Sequence, residues 1–394
     1  MFEFTQLCNI EIDVIDGDRG KNYPHKDEMF EEGYCLFLSA KNVTQDGFLF
    51  VDNQFITQEK DKLLNNGKLN RGDIVITTRG TVGNVAIYSD DVPYNNIRIN
   101  SGMLIIRCGE TIDNYYLYQL LRSKWFYNQI ISIQSGSAQP QLPKSHFLNM
   151  IIPIPDINIQ HKIAIILSSI GDKIALNKAI NENLEQQLLC MYHNMFDTSF
   201  NICELGKVID TTSGGTPSRK KEEYYQNGTV NWVKSKELSG TYIIDTEEKI
   251  TMKALNSSSA KILPKNSVLI AMYGATVGEY GIISKPMACN QAVCALIPNS
   301  GYPYTYLFMF AKTNKSNLIN FAVGSAQQNV SQLLIKQLQI CSDLKMISNF
   351  HLFAQPIFEK IKVLTIENKD LSLLRDTLLP KLMNGEIDVS EIKI

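Results

Sequence analysis

Apolar positions follow two periodicities along this chain, and each periodicity occurs twice. Residues 1–156 and 201–344 hold short β-branched and aromatic runs cut by Gly, Pro, Asn and Asp, the pattern of short strands joined by turns. Each stretch is followed by a helical period. Ile163, Leu167, Ile170, Ile174, Asn177, Asn181, Leu184, Leu188, Met191 and Met195 keep a four-three spacing, as do Phe350, Ala354, Ile357, Ile361, Leu364, Asn368, Leu371, Arg375, Leu378 and Leu382. These heptad seams predict long helices within 157–200 and 345–394. Each apolar side chain left in water would forgo about 1.5–3 kcal/mol, so the two seams are expected to pair with each other, the alternative being that each helix packs only on its own globular half. Asn177, Asn181 and Asn368 interrupt the seams, which lowers stability while favouring one register. Pro356 is expected in the first turn or at a kink of the second helix, with Pro380 and Gly385 marking its end.

The two halves also align residue by residue, at an offset that shrinks from 195 to 187. LFLSAKNV at 36–43 falls on NWVKSKEL at 231–238, and IVITTRGTVGNVAIY at 74–88 falls on LIAMYGATVGEYGII at 269–283. NSGMLII at 100–106 matches NQAVCAL at 290–296, and Gly136-Ser137-Ala138-Gln139 recurs as Gly324-Ser325-Ala326-Gln327. The fold class predicted is therefore α+β: two pseudo-repeated mixed α/β domains, 1–156 and 201–344, separated by an antiparallel coiled coil. A helix of about 37 residues spans about 55 Å. DNA half-sites one turn apart lie about 34 Å from each other, so a paired-helix spacer of that length suits the reading of a divided site.

Composition narrows the function classes. At 44% hydrophobic and 20% charged residues the chain reads as globular, and its length suggests about two or three domains. The longest nearly apolar stretch, Ile163 to Ile170, is far short of the roughly 20 residues that cross a bilayer, and MFEFTQLCNI has no basic leader, so a soluble cytoplasmic protein without a membrane partner is expected. The eight cysteines form no CxxC pair and the five histidines no HExxH, which argues against a metal site. Residues 1–156 hold 14 Lys and Arg against 19 Asp and Glu, while residues 201–344 hold 14 against 10. A chain that bound DNA unaided would be more basic.

Motifs for chemistry are missing. There is no GxxxxGK[ST] loop, no GxGxxG after a strand and no GxSxG elbow. Asp91-Val92-Pro93-Tyr94 partly resembles the Asp-Pro-Pro-Tyr motif of adenine methyltransferases, but the glycine-rich loop that should bind the methyl donor is absent. Glu222-Glu223 and Glu247-Glu248 sit beside lysines and read as solvated surface. What remains are hydroxyls, amides and basic side chains beside glycine turns, the groups that contact phosphates and base edges. They concentrate in TTSGGTPSRKK at 211–221 and in its counterpart DGDRGKNYP at 16–24.

At these residues the sequence resembles the specificity subunit of type I restriction-modification systems. DGDRGKNYP, SGGTPS with NWVKSKEL after it, the paired TVG turns, the GSAQ segments and LLPKLMNGEI at 378–387 carry the resemblance, which covers essentially all of the chain. It implies a non-catalytic reader with two target-recognition domains, each taking one half of a bipartite asymmetric site on double-stranded DNA. It also implies two methyltransferase subunits and restriction-translocase subunits as partners, with S-adenosylmethionine, ATP and Mg on them and no cofactor or metal here. Arg19, Lys21 and Asn22, and Ser213, Gly214, Gly215, Thr216, Ser218, Lys220 and Lys221, are carried over as DNA-facing positions. Lys41, Asn42, Lys234 and Lys236 rank second, and Arg79, Thr81, Tyr273 and Thr276 flank the TVG turns. Ser137, Gln139, Ser325 and Gln327 complete the set, as base or phosphate readers or as caps. Arg79 aligns with Gly274, so the two turns are expected to read different half-sites. The alternative is a degenerate scaffold that organises protein partners without reading DNA.

Overall fold

A computed structural model, which describes residues 2–134, 141–198, 201–323 and 329–392, turns each repeat into the same layered arrangement. The chain divides into a first unit, Met1–Lys173 with Asp370–Ile394, and a second unit, Ile174–Lys369. In the first unit the apolar runs form an antiparallel sheet in the order Ile12–Asp16, Met103–Cys108, Ile74–Thr77, Val85–Ile87. Ile74–Thr77 and Val85–Ile87 are buried at every position because both faces are covered, whereas the edge run Ile12–Asp16 buries only Val14. Ile74, Ile76, Leu104 and Ile106 face the helical layer of Tyr116, Leu117 and Leu120. Val75, Met103 and Ile105 face Leu36, Leu38, Ile97 and Ile99 of a second sheet. That sheet has the order Phe55–Ile56, Cys35–Leu38, Ile97–Ile99, with the last pair parallel.

The second unit repeats this plan. Asp210–Ser213, Val293–Ile297, Val268–Ala271 and Tyr280–Ile283 follow one another in the main sheet, and Tyr242–Ile243 adds a parallel fifth strand. Lys249–Ile250, Val230–Val233 and Ala288–Cys289 form the smaller sheet. A short ribbon closes each unit, Glu3–Gln6 against Ile151–Ile154 in the first and Ile202–Glu204 against Gln339–Cys341 in the second.

Both seams become helices of 40 residues, Ile157–Phe196 and Leu344–Met383. Within the second unit they run antiparallel: Asn177 meets Asn368, while Tyr192 and Phe196 lie 5.8 and 5.7 Å from the ring of Phe350. Within the first unit Ile163, Ala164 and Leu167 pack with Leu379, Leu382 and Met383. Near the end of the first helix burial moves from Met191 and Met195 onto Leu188, Tyr192 and Phe196, a four-four spacing that places large rings on Phe350 and Tyr306. Pro356 is not in the first turn, because the helix already begins at Leu344; the proline lies in the helix interior at an exposed position. Gly385, at φ 76°, follows the helix end.

Asn177 is fully buried, and its Nδ2 donates to Asn368 Oδ1 and Glu367 Oε2, both at 2.9 Å. Asn177→Leu removes the donor these groups accept from and is expected to cost about 1–3 kcal/mol in thermal unfolding. Asn177→Leu combined with Asn368→Leu restores an apolar seam and is expected to recover that loss. A single variant as stable as the parent would show that the amide does not hold the register.

Candidate nucleic-acid interface

In each unit one tight turn gathers three loops around itself. In the first unit this turn is Asn100–Gly102, between Ile97–Ile99 and Met103–Cys108. Gly17 crosses directly over it: a Cβ there would lie under 3.0 Å from the Asn100 carbonyl, so only glycine allows the approach. Thr78 N and Arg79 N both donate to Gly102 O, at 2.7 and 3.2 Å, and Leu142 N donates to Thr78 O at 3.0 Å. Arg19 Nη2 donates to Ser101 O at 3.3 Å and to Asp16 Oδ1 at 3.1 Å. Thr81 Oγ1 donates to Ala40 O at 3.3 Å, which brings the 40–42 segment alongside. Arg19, Arg79, Thr81 and Lys41, distant in sequence, thus stand exposed around one turn.

The Arg19 loop is held from beneath. Asp18, 6% exposed, accepts from Gly20 N at 2.7 Å and Asn65 N at 2.8 Å. Burial alone would raise its carboxyl, but these backbone donors outweigh it and leave the group below its usual range. Asn65 belongs to a strap that Arg98 holds, with Nη1 on Asn66 O, Nη2 on Asp61 O and Leu64 O, and Nε on Asp61 Oδ1 at 2.6 Å. Asn22 also ties to the strap, through Nδ2 to Leu63 O at 3.0 Å, and Lys21 is exposed.

The second unit is wired alike around Asn290–Ala292. Gly215 N donates to Cys289 O at 3.0 Å, Met272 N to Ala292 O at 2.8 Å, and Val330 N to Met272 O at 2.8 Å. Gly214 takes the place of Gly17, its hydrogen again within Cβ-excluding distance of the turn's carbonyls. Thr216 Oγ1 donates to Gln291 Oε1. Tyr273 bridges to Asn329 as Arg79 does to Gln141. Tyr273, Thr216 and Gln291 are exposed, Thr276 and Ser213 half-buried.

The anchoring chemistry differs between the units. Trp232 Nε1 donates to Gly215 O at 3.0 Å and packs with Tyr224, Ala254 and Ala288, an apolar anchor in place of the Arg98–Asp61 pair of the first unit. In register, Phe37 pairs with Arg98 as Trp232 pairs with Ala288, so the arginine's counterpart is an alanine beside the tryptophan. Leu255, four residues after the N-cap Thr251, stands where Asp61 stands after the N-cap Thr57.

Beside Trp232 lies a cluster of charge. Arg219 sits 4.3 Å from the Tyr225 ring and 5.2 Å from the Trp232 ring while both its amino groups bond Glu248, at 2.5 and 2.8 Å. Lys234 bonds Glu248 and Glu247, and Lys236 bonds Glu247 at 2.6 Å. Arg219 first, and Lys234 after it, hold the Glu248 carboxyl down at about 2 against burial. The two glutamates read as solvated surface thus neutralise Lys234 and Lys236. Lys221 Nζ bonds the Tyr224 hydroxyl at 3.0 Å, while Ser218 and Lys220 are exposed.

Asn42 is the position the structure moves furthest from its expected place. It is 2% exposed, its Oδ1 accepts from Ser39, and its Nδ2 donates to Leu49 O and Val51 O, so its amide is consumed by the fold. Ser137, Gln139, Ser325 and Gln327 lie outside the described residues. Ser101, Gln291 and Arg219 were not among the expected positions. The alignment of NSG with NQA marks the central turn, but only the folded chain places it between the loops. Among the described residues no group of His, Cys, Asp or Glu is arranged to hold a metal ion, and no helix is long and apolar enough to cross a membrane.

A family profile described as the type I restriction modification DNA specificity domain matches this chain twice, over residues 2–186 and 198–341. The chain belongs to that family, which agrees with the resemblance carried by its motifs. It is 25% identical over 396 residues to the type I restriction enzyme MjaIX specificity subunit of Methanocaldococcus jannaschii, covering 91% of this chain and 88% of that one. It is 23% identical over 457 residues to the HindI specificity subunit of Haemophilus influenzae, covering 94% and 98%. The crystal structure of a type I restriction-modification system S subunit from M. genitalium shares the fold, at a TM-score of 0.60 and 15% identity over 99% of this chain and 97% of that one.

Proposed function

We propose that this chain is the DNA-recognition subunit of a type I restriction-modification complex, with each unit reading one half of a bipartite, asymmetric duplex target. Two methyltransferase subunits and restriction-translocase subunits join it in the cytoplasm. They bring the adenine-N6 chemistry, S-adenosylmethionine, ATP and Mg, while this chain itself catalyses nothing. The observation that supports this reading is the twofold family match laid over two turns that are wired alike and furnished differently. The first unit surrounds its turn with Arg19 and Arg79, the second with Thr216, Gln291 and Tyr273. Shared wiring supports a shared task, and different side chains support different half-sites.

The test is duplex binding by the chain assembled with its methyltransferase. Arg79→Ala is expected to weaken binding to the target by about 5- to 150-fold, the equivalent of about 1–3 kcal/mol for a base contact. Lys220→Ala is expected to weaken target and non-target duplexes alike and to lower the salt slope by about 1. Wild-type affinity in both variants would remove these positions from the interface. An assembled complex that shifts no duplex at moderate salt would instead favour the scaffold that organises partners without reading DNA.

A further inference from the structure

We propose that Gln291 is a base-reading side chain of the second unit and that its target is the major-groove edge of an adenine. The assignment rests on the functional reading above and names what one of the two turns recognises. Gln291 occupies the tip of the turn on which three loops converge: Gly214–Thr216 on one side, Met272–Tyr273 on the other, and Asn329–Val330 beyond. It is exposed at that tip, and every neighbour in the turn is fixed by a backbone hydrogen bond or by a glycine contact.

The chemistry follows from the amide. A glutamine carries a donor and an acceptor side by side, and adenine presents the complement in the major groove, the N7 acceptor beside the N6 donor. A free glutamine would surrender considerable rotamer freedom to make that pair of bonds. Here the Thr216 hydroxyl already holds Oε1. One hydroxyl takes one lone pair, which leaves the second lone pair and the Nε2 hydrogens for a base. Thr216 is therefore a positioning residue, and it reaches Gln291 because Gly214 lets the loop press against the turn while Gly215 lets it pack on Ser259 and Ala260. The first unit has Ser101 at the corresponding place, with the Arg19 guanidinium on its carbonyl. Arginine forks suit guanine O6 and N7, so the two turns differ in the base they favour.

The experiment is selection from a randomised duplex library by the chain assembled with its methyltransferase, comparing parent, Gln291→Ala, Gln291→Glu and Thr216→Val. Arg79→Ala identifies the half-site belonging to the first unit. The parent is expected to require adenine at one position of the opposite half-site. Gln291→Ala is expected to reduce preference at that position alone, by about 5- to 150-fold. Gln291→Glu, which can only accept, is expected to move the preference toward cytosine through its N4 donor. Thr216→Val keeps the amide and is expected to weaken the same preference without shifting it elsewhere. A Gln291→Ala complex that selects the parental half-site at every position overturns the assignment, as does a loss falling on a base other than adenine. A parent complex that selects no sequence overturns the functional reading and this assignment with it.

Discussion

Asp61→Ala is expected to destabilise the first unit by about 3–5 kcal/mol, the cost of leaving a buried guanidinium without its carboxylate. Asp61 and Arg98 are 4% and 5% exposed, and the carboxylate also accepts from Lys68 Nζ at 2.6 Å. Burial pushes the Asp61 carboxyl up, and Lys68 and Arg98 together more than reverse this, so it stays charged below its usual range. The surroundings are dry enough that burial, with Asp61 beside it, raises the Cys35 thiol to about 12. Without Asp61, Arg98 keeps three carbonyl partners but loses its counter-charge, and the strap that carries Asn65 to Asp18 loosens. Chemical denaturation should therefore show an early transition, and the Arg19 loop should lose definition with it. Asp61→Leu with Arg98→Met replaces the pair by apolar groups, as Leu255 and Ala288 do at the matching places of the second unit, and is expected to recover most of the loss. An Asp61→Ala chain that unfolds with the parent would show that the pair does not carry the strap.

Gly17→Ala and Gly214→Ala are expected to damage one candidate site each. The added methyl would lie under 3.0 Å from the Asn100 carbonyl in the first case and from the Cys289 and Asn290 carbonyls in the second. Backbone cannot rotate aside as a side chain does. Each variant must therefore lift its loop from the turn, at a cost at or above the roughly 1–3 kcal/mol of ordinary overpacking. In the first unit the displaced group is Arg19, and in the second it is Thr216 with its hold on Gln291. Methylation-site mapping with the assembled complex should show relaxed selection in one half-site per variant, with the other half intact. Relaxation of both halves by a single glycine, or of neither, would refute the assignment of one turn to each half.

Much of this architecture was legible because it depends on periodicity. The seams around Leu167 and Leu364, the paired strands at 74–77 and 268–271, and their order along both repeats follow from local patterns that repetition makes easier to see. The candidate site was only half legible. Its loops announce themselves by glycine, hydroxyl and basic residues, whereas the turn they surround is a junction between strands, and the side chains that meet it, Arg19 and Thr216, come from loops 82 and 75 residues away. Asn42 shows the limit from the other side. An amide beside a lysine suits a DNA contact in sequence, but its carbonyl and amino groups match Ser39, Leu49 and Val51 in space. Arg98 gives no warning either, since IRI in a strand reads as ordinary alternation. Its burial depends on a strap more than 30 residues earlier.

The first unit is built from two stretches far apart in the chain, since Leu379, Leu382, Met383 and Val389 lie in the same core as Leu7, Ile163 and Leu167. The second unit is one unbroken span, 174–369. During synthesis, therefore, the half that emerges first from the ribosome must wait, with its apolar interior incomplete, until the stretch from Asp370 onward is made, while the later half can close before it. Premature termination upstream of Leu379 would leave the earlier half without its closing layer, so an abbreviated chain is a candidate for proteolysis rather than a half-functional reader.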